Sequence, residues 1–176
     1  YFPKFFHPDP TVKRQSGFLQ PKINNSTLIG NTISAPYFHV ISDNKDLTIK
    51  PTFSTEKPNI YNETNFFQTE YRQENKNSSF LADFGFVNNF KSKYSNKEKN
   101  ILHLFAKSKI DLELDQYKKS EMNIFIERTN KDTYLKIFDN YLMNNSTKPK
   151  NKNILLSGID FKLINEKLSL ETGFSA

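Results

Sequence analysis

The chain has 176 residues, of which 36% are hydrophobic, and its formal net charge is +6 at pH 7. The longest run of consecutive apolar residues is three, whereas a transmembrane helix needs about 20, so a helical membrane protein is excluded. The 17 Phe and 8 Tyr residues, set against only 5 Gly, favour strands joined by polar turns. With no Cys, the chain has no disulfide, no Cys-bound zinc and no thiol nucleophile.

The positive charge could indicate a nucleic acid or an anionic lipid surface as partner. Only three of the 25 basic residues are arginine, at positions 14, 72 and 128, and the rest are lysines scattered among polar residues. A solvated, lysine-rich surface therefore explains the charge better, and we expect no nucleic-acid partner. The first residue is Tyr1 rather than Met, so we expect an internal piece of a longer protein.

Alternation of apolar and polar residues recurs along the chain and predicts antiparallel strands. The clearest case is the segment around Ile49, where apolar residues at 47, 49, 51 and 53 alternate with polar residues at 48, 50 and 52. The predicted strands are 17–24, 28–41, 46–55, 60–73, 78–90, 100–116, 121–129, 153–164 and 167–175.

Short and long connectors alternate between these strands. The short ones lie at 42–45, 73–77, 117–120 and 165–167, and the long ones at 55–58, 91–99 and 130–152. This pattern is typical of an up-and-down barrel of the outer membrane, with tight turns at one end and long loops at the other. The predicted fold is therefore all-β, an antiparallel up-and-down transmembrane β-barrel segment. A soluble β-sandwich is the alternative.

No arrangement of residues predicts catalysis. The histidines at positions 7, 39 and 103 are far apart, and none has a second ligand at a metal-binding spacing. The sequence has no nucleophile elbow and no phosphate-binding glycine loop. We predict no enzyme activity, no metal site and no cofactor.

Pro21 and Pro36 each fall inside a predicted strand. A proline there removes one N–H donor from the ladder, so the strand pairs poorly. The same prolines could instead lie at bulges that only curve the strands. The residues alone leave these two interpretations equal.

The most specific stretch is PDPTVKRQSGFLQP at 8–21, followed by APYF at 35–38 and DLTIKP at 46–51. These segments resemble, in order, the start of the barrel in the family of the lipopolysaccharide-assembly outer-membrane protein LptD. Residues 127–129 and 132–135 are similar to a later strand and loop of that family.

The resemblance implies two regions: the end of a periplasmic β-jellyroll and a junction at 1–12, and about the first nine barrel strands at 13–176. It implies transport of lipopolysaccharide and its insertion into the outer leaflet of a Gram-negative outer membrane, with the N-terminal end in the periplasm. The implied partners are lipopolysaccharide, outer-membrane lipid, an LptE-like lipoprotein plug, an LptA-like periplasmic bridge and the barrel-assembly machinery. Other outer-membrane channels or receptors, and a soluble glycan-binding β-sandwich, are the alternatives.

Two groups of residues acquire roles from this resemblance. Pro21, Pro36 and Pro51 would belong to the strands of a lateral gate, where the first strand meets the last. Lys13, Arg14, Ser16 and Gly17 match the family's junction motif. The two basic residues could contact lipopolysaccharide phosphates, or they could tie the jellyroll to the barrel wall through carboxylates.

Overall fold

The computed structural model describes residues 14–26, 29–54, 65–92, 95–165 and 169–176. The predicted all-β class is confirmed, because eleven strands form a single antiparallel sheet. The strands are β1 Gly17–Phe18, β2 Lys22–Ser26, β3 Gly30–Ser34, β4 Tyr37–Ser42, β5 Lys45–Ser54, β6 Asn65–Asn75, β7 Ser78–Ser92, β8 Ser95–Asp111, β9 Lys119–Thr129, β10 Gly158–Ile164 and β11 Ser169–Ser175.

The eleven strands form nine lines across the sheet. β1 and β2 make up the first line, since β1 pairs with β4 while β2 pairs with β3. β3 and β4 make up the second line, and both pair with β5. From β5 to β11 each strand pairs with the next along the chain, as predicted for an up-and-down arrangement.

The predictions of single continuous strands at 17–24 and 28–41 were wrong, because each is divided in two, into β1 and β2 and into β3 and β4. Other predicted boundaries were wrong as well. The strand predicted at 100–116 ends at Asp111, and the one predicted at 153–164 begins only at Gly158. The loop predicted at 91–99 is largely strand, because β7 continues to Ser92 and β8 begins at Ser95. Polar side chains marked that stretch as a loop, but ladder hydrogen bonds join backbone groups and tolerate polar residues. Residues 28, 55, 60–64 and 167–168 of the predicted strands lie outside the described part.

The sheet has one face with buried polar side chains and one face with exposed apolar side chains, the reverse of the usual arrangement. Along β5, Thr48, Lys50 and Thr52 are buried, whereas Ile49 and Phe53 are 40% and 43% exposed. The register carries this pattern to the neighbouring strands, since the buried Lys50 pairs with the buried Gln68 and the exposed Phe53 pairs with the exposed Ile33. We call the side that bears Thr48 and Lys50 the polar face, and the side that bears Ile49 and Phe53 the apolar face.

The chain between β9 and β10, residues 130–157, covers part of the polar face. It contains a short helix, α1 Tyr134–Phe138, and a 3-10 turn at Asp139–Tyr141. Its buried side chains join strand residues in one hydrophobic core, and the members of that core are Ile29, Phe66, Val87, Phe90, Ile101, Phe105, Tyr134, Leu135, Phe138, Tyr141 and Leu142. Residues 130–152 were predicted as a long irregular loop, and that was wrong where the structure has a helix and core residues; we call residues 130–157 the docked segment. No helix among the described residues is long and apolar enough to cross a membrane.

Candidate functional site

The three predicted gate prolines lie at one level across the first three lines of the sheet. The second line pairs with β5 in one register, with Ser34 opposite Thr52 and Tyr37 opposite Ile49. Continuing that register through the break places residue 35 opposite Pro51 and Pro36 opposite residue 50. In the first line the register shifts by one residue between Phe18 and Lys22, so the stretch that ends at Pro21 is a bulge.

Two of these prolines each lack a ladder donor that faces a neighbouring strand. Ala35 N donates to the Pro51 carbonyl at 3.3 Å, and Leu19 N donates to the Pro36 carbonyl at 2.8 Å. A hydrogen-bonded antiparallel pair exchanges two such bonds, but proline has no N–H for the return bond. Pro51 and Pro36 therefore each remove one ladder bond from the first three lines of the sheet, β1 to β5, which we call the seam region.

The backbone nitrogen of Pro21, unlike those of Pro36 and Pro51, does not point toward a neighbouring strand in the part of the chain that the structure describes. Successive residues of a strand point their N–H groups to opposite sides. The N–H group of Ala35 points toward β5, so the N–H group of Ser34 points the other way, toward β2. The N–H group of its partner Lys22 points back toward β3. The nitrogen of Pro21, one residue earlier, then points to the outer side of the first line, where no strand pairs with it among the described residues. A proline at such an edge blocks further pairing at its own position.

The junction residue Arg14 bonds to a buried carboxylate. Its Nη2 donates to Asp46 Oδ2, and Arg72 Nε donates to Asp46 Oδ1 at 2.7 Å. Asp46 is only 3% exposed, and both guanidinium groups also lie over the Phe38 ring, at 5.5 and 5.7 Å from its centroid. Two motifs that the sequence analysis quoted separately, around residues 14 and 46, thus meet in the structure.

The other junction residues contribute less. Ser16 Oγ accepts a hydrogen bond from Val40 N at 2.8 Å and lies 3.5 Å from His39 Nδ1. Gly17 begins β1, and a Cβ built there would meet nothing within 4 Å. Lys13 lies outside the described residues.

A buried polar cluster, which the sequence reasoning missed, holds the docked segment to the sheet. At its centre Asp83, 1% exposed, accepts hydrogen bonds from Gln68 Nε2 at 2.8 and 2.9 Å and from His103 Nε2 at 3.1 Å. His103 Nδ1 contacts the Tyr134 hydroxyl of α1. A neutral imidazole that donates from Nε2 has an acceptor at Nδ1, so the Tyr134 hydroxyl donates to it.

The segment also binds this cluster through its backbone and through Asn145. Met143 N donates to Gln68 Oε1 at 3.0 Å, and Asn145 Nδ2 donates to Glu70 at 2.6 Å and to Asp83 at 3.0 Å. The carbonyl groups of residues 141 and 146 accept from Lys50 and Lys107 of the sheet. Buried polar groups are costly unless bonded, so this satisfied network holds the segment in one position.

Gly85 makes room for the cluster. A Cβ built on Gly85 would lie 2.2 Å from His103 Cε1 and 2.4 Å from His103 Nδ1. The imidazole therefore packs directly on the glycine backbone of the neighbouring strand. A glycine in the middle of a long strand, at a position that alternation assigns to the polar face, was the sequence signal that could have indicated this packing.

Two ionisable groups of the docked segment have shifted pKa values. Burial, and secondarily the charge of Asp83, raises the pKa of Tyr134 well above its ordinary value. Burial alone would raise the pKa of Asp139, but hydrogen bonds and charges from Lys152 and Lys148 outweigh it and lower that pKa. Asp139 thus stays ionised and bonded to two lysines of its own segment, at 2.7 and 3.0 Å.

Below the docked segment the polar face carries a cavity of about 570 Å³. Its charged lining residues are three cations and three carboxylates: Arg72, Lys107, Lys109, Glu74, Glu127 and Asp160. These charges balance, so the cavity as a whole selects neither anions nor cations. Within the described part of the chain, no three His, Asp or Glu side chains are grouped so that they could hold a metal ion.

Comparison with known proteins identifies relatives of one kind. No family model matches the chain. It is 39% identical over 74 residues, or 40% of its length, to the LPS-assembly protein LptD of Shewanella oneidensis, and 34% identical over 74 residues, or 42%, to that of Polaromonas sp.. Against the LptD of Idiomarina loihiensis the identity is 25% over 117 residues, or 66% of the chain. The chain spans only 9% to 14% of the length of these curated relatives, and over that part it is similar to LPS-assembly proteins.

Proposed function

We propose that this chain is part of an outer-membrane β-barrel that delivers lipopolysaccharide to the cell surface through a lateral opening. The observation that carries the proposal is the reversed polarity of the sheet. Large apolar side chains are exposed along one whole face, from Ile33 at 40% through Phe67 at 41% and Phe84 at 46% to Phe161 at 38%. Such a face requires lipid or protein around it.

The soluble alternative is disfavoured by the same faces. In a β-sandwich the apolar faces of two sheets pack together and polar residues face water. Here Gln68, Asp83 and His103 are buried, while apolar residues on the other face are exposed. The similarity to LPS-assembly proteins and the interrupted first lines favour this barrel over other outer-membrane channels and receptors.

The proposed orientation places the tight turns in the periplasm. The turns at 43–44, 76–77 and 112–118 lie at one end of the sheet, and the docked segment enters from the other. Residues 1–12 would then connect to a periplasmic jellyroll. The proposed partners are lipopolysaccharide, an LptA-like bridge that reaches the jellyroll, an LptE-like plug, the barrel-assembly machinery and outer-membrane lipid, and the proposal includes no catalysis.

The orientation can be tested by thiol labelling in whole cells. Lys148 is a poor probe position, because its Nζ is bonded to the carbonyl and the carboxylate of Asp139. Lys150 is exposed and belongs to the same segment. We expect a cysteine introduced by Lys150→Cys to be labelled in intact cells, and labelling only after the outer membrane is broken would contradict the orientation.

The function is tested by complementation. A cell depleted of its own LPS-assembly protein should recover surface lipopolysaccharide when it receives the intact gene that encodes this chain. Phe84→Lys should prevent recovery, because a lysine on the lipid side of a barrel costs about 2–4 kcal/mol at the bilayer midplane, whereas Phe84→Leu should retain it. A protein that inserts correctly but restores no surface lipopolysaccharide would overturn the proposal.

A further inference from the structure

The carboxylate of Asp46 links parts of the sheet that are not neighbours. Asp46 lies on β5, yet one of its oxygens binds Arg14, which precedes β1, and the other binds Arg72 on β6. β4 lies between β1 and β5 in the sheet order. The Arg14 side chain therefore reaches across β4 to a strand that β1 does not touch.

Phe38 of β4 completes this arrangement. Its ring lies beneath both guanidinium groups, and its backbone pairs with Gly17 on one side and with Thr48 on the other. Glu70 adds a second carboxylate 3.5 Å from Arg72 Nε. Two cations and two anions thus balance around one aromatic ring, and we call Arg14, Phe38, Asp46 and Arg72 the clamp.

Without the clamp the lower part of the first line is weakly attached. β1 contributes only two residue pairs with β4, and the bulge that ends at Pro21 follows at once. Pro36 removes the return bond to Leu19. The ladder between the first and second lines therefore has a gap at Pro36, and the clamp adds its bonds on the other side of the two β1 pairs, where Asp46 is opposite Val40.

We propose that the clamp keeps the first line attached to the second while the barrel opens at the outer edge of the first line, where the resemblance places the gate. This inference rests on the proposed function. Arg14 and Asp46 are positioning residues in it, since they fix which side of the first line separates. Pro21, whose nitrogen points to that outer edge, weakens the side that the clamp leaves free.

A reversible crosslink tests this assignment in the intact protein. Ile23 and Ile33 are opposite each other on β2 and β3. The next pair, Lys22 and Ser34, is the hydrogen-bonded one, so Ile23 and Ile33 form a non-hydrogen-bonded pair. Opposed pairs of this kind lie about 4.5 Å apart at Cα, which a disulfide can span. Ile23→Cys with Ile33→Cys therefore locks the first line to the second.

We expect the lock to leave surface delivery of lipopolysaccharide unchanged in the otherwise unaltered protein. Arg14→Gln should reduce delivery about fivefold, as expected when a partly exposed charged bond is lost, and the lock should restore it. Arg128→Gln, which removes an exposed arginine of β9, serves as the matched control and should have no effect. Asp46→Asn is a second variant that should reduce delivery, as Arg14→Gln does.

Three results separate the possible failures. A lock that blocks delivery, with recovery on reduction, would show that the first and second lines must part and would overturn the inference alone. Normal delivery by inserted Arg14→Gln and Asp46→Asn proteins would overturn it as well. Failure of the unaltered intact gene to restore any surface lipopolysaccharide would instead overturn the proposed function.

Discussion

The seam region lacks some of its backbone hydrogen bonds, whereas the docked segment is held by a fully bonded polar cluster. In the first three lines, Pro36 and Pro51 leave ladder bonds unmade, and the outer side of the first line pairs with no strand among the described residues. Beneath the docked segment, Asp83 alone accepts bonds from three side chains, and α1 packs into an apolar core. One part of the same sheet thus has fewer backbone bonds, and the other is held by a bonded polar cluster and a packed core.

This difference indicates where the stability of the sheet is concentrated. Local unfolding follows the regions with the fewest bonds and contacts. We therefore expect changes beneath the docked segment to alter stability more than changes in the seam region.

Removing the aromatic centre of the docked segment should release it. Phe138 is 1% exposed and contacts the rings of Phe66 and Phe90, so Phe138→Ala should weaken docking by about 3–5 kcal/mol. Limited proteolysis of the folded protein should then cut within 130–157. Lys136→Ala, at an exposed position of the same helix, should leave the segment protected, and equal cleavage of both variants would contradict the account.

Filling the space above Gly85 should disturb the polar cluster without touching the docked segment itself. Gly85→Ala places a methyl group 2.2 Å from His103 Cε1, which forces the imidazole away from Asp83. We expect a loss of about 1–3 kcal/mol, measured by thermal unfolding in detergent. Gly17→Ala, in the seam region, meets no atom and should change the unfolding temperature little. A change of similar size in both variants would mean that the contrast between the regions is absent.

The two buried tyrosines of the docked segment provide a matched pair. Tyr134→Phe leaves His103 Nδ1 without its partner and should cost about 1–2 kcal/mol. The hydroxyl of Tyr141 has no hydrogen-bond partner among the described residues, so Tyr141→Phe should cost almost nothing. Protection of the segment from hydrogen exchange measures both.

The same tyrosine predicts a dependence on pH. Because the pKa of Tyr134 is higher in the folded protein than in the unfolded chain, its contribution to the stability of docking is complete below about pH 10. That contribution is lost progressively as the pH rises above this value toward the folded pKa. Docking should therefore weaken in alkali, and Tyr134→Phe should abolish this part of the dependence. An unaltered alkaline transition in Tyr134→Phe would assign it to another group.

Repairing the seam should have the smallest effect on stability. Pro36→Ala and Pro51→Ala each restore a donor that faces a neighbouring strand and should stabilise the sheet by about 0.5–1.5 kcal/mol. Pro21→Ala should not strengthen the described sheet, because its nitrogen points to the outer edge. We expect Pro21→Ala combined with Pro36→Ala to resist heating in detergent better and to deliver lipopolysaccharide more slowly. Unchanged delivery in an inserted double variant would assign these prolines to bulges alone.

Much of the sheet could be predicted from sequence because alternation is a local signal. The segment around Ile49 shows which residues share a face, and the register then follows from the short turns. Alternation does not say which of two faces is buried. The inference that the polar face is the covered one needed the resemblance, and the burial of Lys50 now supports it.

The docked segment could not be predicted in this way. Its apolar residues form a helix of only five residues, too short for a periodic signal, and the surrounding asparagines and lysines indicate a loop. Asn145 contacts residues more than 60 positions away, so its role depends on tertiary structure alone. The contact between Arg14 and Asp46 was likewise hidden, although each lay in a motif that the sequence made visible.

The central claim is that the apolar face meets lipid, and spin labels on that face of three adjacent strands, β5, β6 and β7, test it most directly. Labels introduced through Phe53→Cys, Phe67→Cys and Phe84→Cys in the membrane-inserted protein should collide often with oxygen and rarely with a water-soluble nickel chelate. A label introduced through Gln73→Cys, on the same face and two residues from the end of β6 at the tight turn, should show greater exposure to the chelate. High chelate accessibility at all three phenylalanine positions would place that face in water and contradict the account.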